Sequence, residues 1–284
     1  MARRPFVARC AVLLGALLAL AACAAPIEKV GSAGTDTPPA APAEAPPVPA
    51  PDVFRDGVPV GRDGEDGLWL SWTLTDTVDG RRTGSRNAAT ERTNAESAIK
   101  AWIAADHLRV ARDSGRAVTA AERGLIRRAV RSSDDQAAER LYRGLGGDRM
   151  LAHLEPVCGV DVSTSRRGYW SYAQLTAVDA TRILTCVLDR APSYPGGAEL
   201  VADLRNVDEG GSFGIRELLG GDTPVAEKNG WTLHSETGWN VNCVVSWDRY
   251  ALAVMTRFPA QRPESYGWGV CRDVTEDVLT SLRG

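Results

Sequence analysis

The spacing of hydrophobic and polar positions changes several times along these 284 residues. Cys10 to Leu20 is an unbroken apolar run behind a short basic stretch containing Arg3, Arg4 and Arg9. The run is too short to span a bilayer comfortably, and its flanks are those of an export signal. From Ala24 to about Pro51 large apolar side chains almost vanish among Ala, Pro and Gly. Such a segment cannot bury enough surface to offset ordering entropy, and its prolines make it a partly stiff tether. Leu68 to Thr75 then predicts a strand, with Asp79-Gly80 as a turn. Asn94 is expected to cap a helix whose Ala98, Ile99, Trp102, Ile103 and Leu108 are apolar on more than one side, hence buried. Thr119 and Glu122 form a capping-box pattern ahead of Leu125, Ile126 and Ala129. Ser132 or Ser133 is expected to cap a third helix through Leu141. A fourth runs from Thr176 to about Asp189, with shorter pieces around Leu200 and Ile215. Strand-like segments follow at Val225 to Trp231, Val241 to Trp247 and Tyr250 to Phe258. Asp248-Arg249 connects the last two, and a helix from Tyr266 to Arg283 closes the chain. That order predicts an α+β fold of two subdomains: an antiparallel sheet built from distant segments and flanked by N- and C-terminal helices, beside a helical subdomain.

Composition narrows the function. The net charge of −3 comes with no basic stripe, which argues against nucleic acid as a partner. Beyond Cys10 and Cys23 the cysteines are Cys158, Cys186, Cys243 and Cys271. None forms C-x-x-C, and His107, His153 and His234 are scattered, so neither a metal site nor a cofactor is implied. In an exported protein four cysteines suggest two disulfides, with three pairings open. Cys158–Cys186 and Cys243–Cys271, each joining neighbouring elements, is the working hypothesis. Leu20-Ala-Ala-Cys23 resembles the bacterial lipobox, in which the cysteine becomes the lipid attachment point. The expected organisation is a signal peptide over 1–22, a lipidated tether over 23–56 and one domain over 57–284. Such a protein would sit on the outer face of the cell membrane, its lipid anchor at Cys23. Arg3-Arg4 leaves twin-arginine export open beside the general route.

Three short motifs occur in order: Ser97-Ala-Ile-Lys100, Ser133-Asp-Asp135 and Lys228-Asn-Gly230. They resemble the S-x-x-K, S-D-N and K-T-G set of serine β-lactamases and penicillin-binding proteins. Lysine usage supports the match. Among 33 Lys plus Arg, lysine occurs only at Lys29, Lys100 and Lys228, so both lysines of the domain fall in motifs. A desolvated lysine can lose its proton and act as a base, whereas arginine cannot. One helical turn apart, Ser97 and Lys100 share a face, so the amine is expected to reach and activate the hydroxyl. The resemblance implies Ser97 as nucleophile, Lys100 as base and Ser133 as proton relay. It also implies substrate contacts from Asp135, Lys228, Asn229, Gly230 and Trp231, with an oxyanion hole from the N–H groups of Ser97 and Trp231.

The motifs also depart from the family. Asp135 replaces an asparagine and cannot donate when ionised. Asn229 replaces a hydroxyl residue, and Trp231 places a large side chain at the expected oxyanion hole. No E-x-x-L-N string lies between Asp135 and Lys228 to supply a deacylating glutamate, and Glu155, followed by Pro156, is not carried over to that role. The expectation is an envelope hydrolase forming a Ser97 acyl-enzyme on an amide or ester, with a peptidoglycan peptide as the candidate substrate. The alternatives are a catalytically degenerate binding lipoprotein of the same fold and a β-lactamase taking β-lactam ligands.

Overall fold

The computed structural model describes residues 52–221 and 223–284. The expected leader, Cys23 and most of the tether lie outside them. Asp52 caps a short helix α1 (Val53–Asp56), and Val53 is already buried. Packing therefore begins a few residues before the expected boundary at 57.

The strand β1 (Trp69–Asp76) follows, with β2 (Arg82–Gly84) beside it and the two-residue β3 (Thr93–Asn94) further on. The middle is helical: α2 (Lys100–Asp113), α3 (Ala120–Arg131), α4 (Asp135–Gly144), α5 (Arg149–Ala152) and α6 (Leu154–Cys158). Short strands β4 (Ser163–Thr164) and β5 (Ala173–Leu175) pair with β3 in a small sheet, order β3-β5-β4. Helices α7 (Ala177–Arg190) and α8 (Gly197–Arg205) lead into β6 (Val225–Glu227), β7 (Gly230–His234), β8 (Gly238–Trp247) and β9 (Tyr250–Phe258). Helix α9 (Glu264–Arg283) ends the chain. The main sheet is antiparallel in the order β2-β1-β9-β8-β6, and β7 extends the β6 edge along the other half of β8.

Strand alternation assigns each side chain to a face. Leu70, Trp72 and Leu74 of β1, Val241, Cys243 and Val245 of β8, and Leu252 and Val254 of β9 form one core with Val270, Val274 and Val278 of α9. Val244, Ala253 and Met255 point the other way, into the core of the helical subdomain. Both disulfides of the hypothesis are present, Cys158–Cys186 between α6 and α7 and Cys243–Cys271 between β8 and α9.

Local chemistry explains where the expected boundaries shift. Thr119 and Thr176 cap α3 and α7, each in a complete capping box. Ser132 and Ser133 do not cap α4. Asp134 does, its carboxylate accepting from the Ala137 N–H at 2.9 Å, while the Ser132 hydroxyl donates to Asp208 at 2.6 Å. Nor is Asn94 a cap: it lies in β3, and a 3-10 turn (Glu96–Ile99) separates it from α2. The strand expected over Val225 to Trp231 is broken at Lys228-Asn229, between β6 and β7.

Candidate active site

The break in that edge strand, the 3-10 turn before α2 and the α3–α4 junction meet in one cleft. Among the described residues only three non-glycines have positive φ, and two are here: Glu96 at 50° and Ser133 at 54°. Such backbone costs on the order of 1–3 kcal/mol per residue and persists where the surroundings over-determine it. Here they do. Asn242 of β8 donates to the carbonyls of Asn94 and Ala95 at 2.8 and 3.2 Å, and the Ala95 N–H donates to Ala173 O at 2.7 Å. The Glu96 carboxylate is buried and accepts from His234 Nε2 at 2.7 Å and Asn240 Nδ2 at 3.1 Å. The turn presenting Ser97 is thus fastened to β5, β7 and β8 together.

Gly230 faces this turn. A Cβ there would lie 2.5 Å from the Ser97 nitrogen and 2.6 Å from that of Ala98, so no larger residue fits without moving backbone. Trp231 follows it in β7, but its ring packs edge-on against Phe213 at 5.2 Å, in the core on the α9 side. Its side chain therefore does not obstruct the cleft as expected from sequence, because alternation turns it to the opposite face.

Ser133 is the hub of the side-chain chemistry. With Asp134 as the cap, Ser133 is left in left-handed backbone just outside α4, its hydroxyl turned to the cleft. Lys100 Nζ donates to Ser133 O at 2.5 Å, to Ser133 Oγ at 3.3 Å and to Asp135 Oδ1 at 2.6 Å. Lys228 Nζ donates to the same Oγ at 3.0 Å and to its neighbouring carbonyl, Asn229 O, at 2.9 Å. Both lysines are buried. Burial pushes the Lys100 ammonium below the usual lysine range, opposed by the Asp135 carboxylate. Burial, reinforced by the nearby Lys100 charge, lowers Lys228 to about 7.

Two expected contacts are absent. None of the Lys100 hydrogen bonds goes to Ser97, whose hydroxyl has no protein partner among the described residues. The ammonium is drawn instead to Asp135, the carboxylate standing in the motif's asparagine position. Asn229 is not a substrate contact either. It is fully buried, its amide donating to Gly211 O and Phe213 O at 3.0 and 3.3 Å and its oxygen accepting from the Val244 N–H at 3.1 Å. Its role is to hold the strand break closed.

Several residues of the site were missed by sequence reasoning: Glu96, His234, Asn240, Asn242 and Trp170. The Trp170 ring lies 4.8 Å from Lys100 Nζ, an aromatic cover on the amine. Asn240 and Asn242 left a readable signal, amides at alternate positions of an otherwise apolar strand. Glu155 sits in α6, lining a separate surface groove with Asp148 and Asp161.

No protein-family model matches the chain, and no curated protein matches it in sequence. Solved structures do match. A variant of the class A β-lactamase of the last common ancestor of Gram-negative bacteria is 23% identical with a TM-score of 0.60, over 76% of this chain and 94% of that one. A class A β-lactamase representative from Bacteroides cellulosilyticus DSM 14838 is 13% identical at a TM-score of 0.62, over 76% and 92%. The L2 protein in complex with relebactam is 22% identical at 0.62, over 76% and 92%. At such identities the likeness is one of architecture, and the described domain has the class A β-lactamase fold.

Proposed function

We propose that this chain is an envelope lipoprotein, anchored at Cys23, whose Ser97 forms an acyl-enzyme with an amide or ester such as a peptidoglycan peptide. The observation that carries the reading is the Ser133 hydroxyl held by both lysines of the domain, Lys100 at 3.3 Å and Lys228 at 3.0 Å, beside the strained Ser97 turn. In this reading Lys100 leaves Asp135 and gives its extra proton to solvent, and the neutral amine then takes the proton of Ser97 as its oxygen attacks the carbonyl. Ser133 then delivers a proton to the departing group, while the N–H groups of Ser97 and Trp231 receive the oxyanion. Lys228 supplies positive charge to the relay and to a substrate carboxylate.

Release of the acyl group is the slow step in this account. Trp170 covers Lys100 at 4.8 Å, and the carboxylates nearby are already engaged, Asp135 by Lys100 at 2.6 Å and Glu139 by Arg143 at 2.6 Å and by Trp170 Nε1 at 3.2 Å. Efficient β-lactam turnover is not part of the proposal. A second reading, a binding protein with a disabled centre, draws on Lys100 being held by Asp135 and on the inward Asn229. Intact-protein mass spectrometry after fluorescent penicillin or a fluorophosphonate separates the two. The expected result is a long-lived adduct that Ser97→Ala abolishes. No adduct with either probe would favour the binding protein, and a transient one with drug turnover would favour a β-lactamase.

A further inference from the structure

The hydroxyl of Ser133 and the amine of Lys228 are 3.0 Å apart, yet they come from segments 95 positions apart in the chain. One stretch touches the chain on both sides of that contact: residues 206–213, which lead from the end of α8 towards β6. At its near end Asp208 grips the last turn of α3. Its N–H donates to Arg131 O at 3.0 Å, one of the carbonyls that a helix end leaves unpaired. Its carboxylate accepts from Arg131 Nη2 at 2.9 Å and, through the other oxygen, from Ser132 Oγ at 2.6 Å. These two residues immediately precede Ser133, whose backbone is left-handed at φ 54°. Asp208 O in turn accepts from the N–H groups of Gly211 and Ser212 at 2.8 and 3.1 Å, which closes a tight turn. The far end of the turn is held from the other side of the cleft. Asn229, directly after Lys228, donates its amide to Gly211 O at 3.0 Å and to Phe213 O at 3.3 Å.

Stability alone does not account for Asp208. Its ion pair with Arg131 is half-exposed, and pairs of that kind contribute little. A negative charge at the C-terminal end of α3 also opposes the helix dipole. What these contacts restrain is geometry, because Arg131 and Ser132 set how the chain enters the strained Ser133. We infer that Asp208 is a positioning residue of the Ser97 centre: through Arg131 and Ser132 it sets the Ser133 hydroxyl against Lys228, and the turn over 208–213 keeps the α3–α4 junction and the strand break in register. The effect on catalysis rests on the acyl-serine reading, whereas the positioning does not. The Asp208 carboxylate is held below its ordinary range, chiefly by the Ser132 hydrogen bond and then by the Arg131 guanidinium, so both oxygens are acceptors at neutral pH.

Two probes with different leaving groups read the effect in Asp208→Ala and in Ser132→Ala, the second of which changes no charge. When a penicillin acylates Ser97, its lactam C–N bond breaks and the nitrogen takes a proton from Ser133. When a fluorophosphonate reacts, the P–F bond breaks and fluoride leaves as an anion, with no proton drawn from the relay. The ratio of penicillin to fluorophosphonate labelling rates is expected to fall at least about tenfold in Asp208→Ala and about threefold in Ser132→Ala, with melting within about 2 °C of the wild type. A ratio that holds, whether both probes slow alike or neither slows, overturns the assignment. A second measurement needs no reaction at Ser97. Lysine labelled with 13C at Cε gives one signal each for Lys29, Lys100 and Lys228. The Lys228 midpoint, about 7 in the wild type, should drop by at least about 0.3 in pH in Ser132→Ala, as the hydroxyl that accepts from its charged form is displaced. An unmoved midpoint overturns the positioning. A moved midpoint in a protein that neither probe labels keeps Asp208 in this role and sinks the Ser97 chemistry.

Discussion

The two faces of the main sheet are filled by opposite kinds of residue. On the α9 side, β1, β8 and β9 send Leu70, Trp72, Val241, Val245, Leu252 and Val254 into an apolar layer closed by α9 and the Cys243–Cys271 bridge. On the other side the same sheet holds Asn240 and Asn242 against a strained turn, with Lys100, Lys228 and Glu96 all at most 1% exposed. The first face stabilises the domain by removing apolar area from water. The second spends stability, since buried charges and amides repay their desolvation only through particular partners. A change on the α9 side should therefore move melting and leave chemistry alone, and a change on the cleft side should do the reverse.

The sharpest contrast pairs one variant from each face. Lys100→Met removes the proposed base and is expected to slow Ser97 acylation about a thousandfold. The apolar isostere should leave the melting temperature unchanged or raised. Replacing both Cys243 and Cys271 by alanine should cost about 2–5 kcal/mol in denaturant unfolding, with the acylation rate of the folded protein kept. If the cysteine variant lost acylation in proportion to stability, the two faces would be one cooperative unit and the comparison would fail.

Lys228→Met sharpens the same contrast through pH. The folded lysine titrates near 7 and the unfolded one at the ordinary 10.5. Between those values the unfolded chain holds a proton that the folded chain lacks, so wild-type stability should rise with pH across that window. The methionine variant should melt at least about 3 °C higher at pH 7 and lose most of that rise. Smaller again is Asp135→Asn, which restores the motif's usual residue and removes the negative charge holding the Lys100 proton. A greater neutral fraction of Lys100 at pH 7 should raise acylation about tenfold and shift the rising limb of its pH profile downward.

How much was legible in sequence divides along the same line. The α9 face follows from alternation and helical period, so β1, β9 and α9 fall within two residues of expectation. The three motifs also brought Lys100, Ser133 and Lys228 together, because lysine is so rare in this chain. What sequence could not supply is the direction of side chains at irregular backbone. Asp134 rather than Ser133 caps α4, because a carboxylate one residue later reaches the Ala137 N–H. The strand break at Lys228-Asn229 turns Asn229 inward, and Trp231 faces α9. Glu96 and His234 are 138 positions apart, and only the fold makes them a pair.

That pair carries the smallest effect and tests whether the cleft face is tuned as well as built. His234 is held above its ordinary value by the hydrogen bond to Glu96, against partial burial. Its surroundings are otherwise Asn94 Nδ2 and the Tyr172 hydroxyl, both at 3.4 Å, with Arg92, Arg166, Arg257 and Glu236 lining the same open pocket beside β7. A raised folded value means the charged pair stabilises the turn fully below pH 6.5, and the contribution is lost as pH rises through the folded value. His234→Gln can keep a hydrogen bond to Glu96 but not the charge. The ratio of wild-type to variant acylation rates should then be about threefold at pH 6 and approach one at pH 9, since RT ln 3 is a typical worth for a partly screened charge pair. Lys100 titrates in both proteins, so its own pH dependence cancels in the ratio. A ratio that stayed flat across that range would show that His234 merely fills space beside Glu96, and that only the backbone strain, not the charge beneath it, sets the position of Ser97.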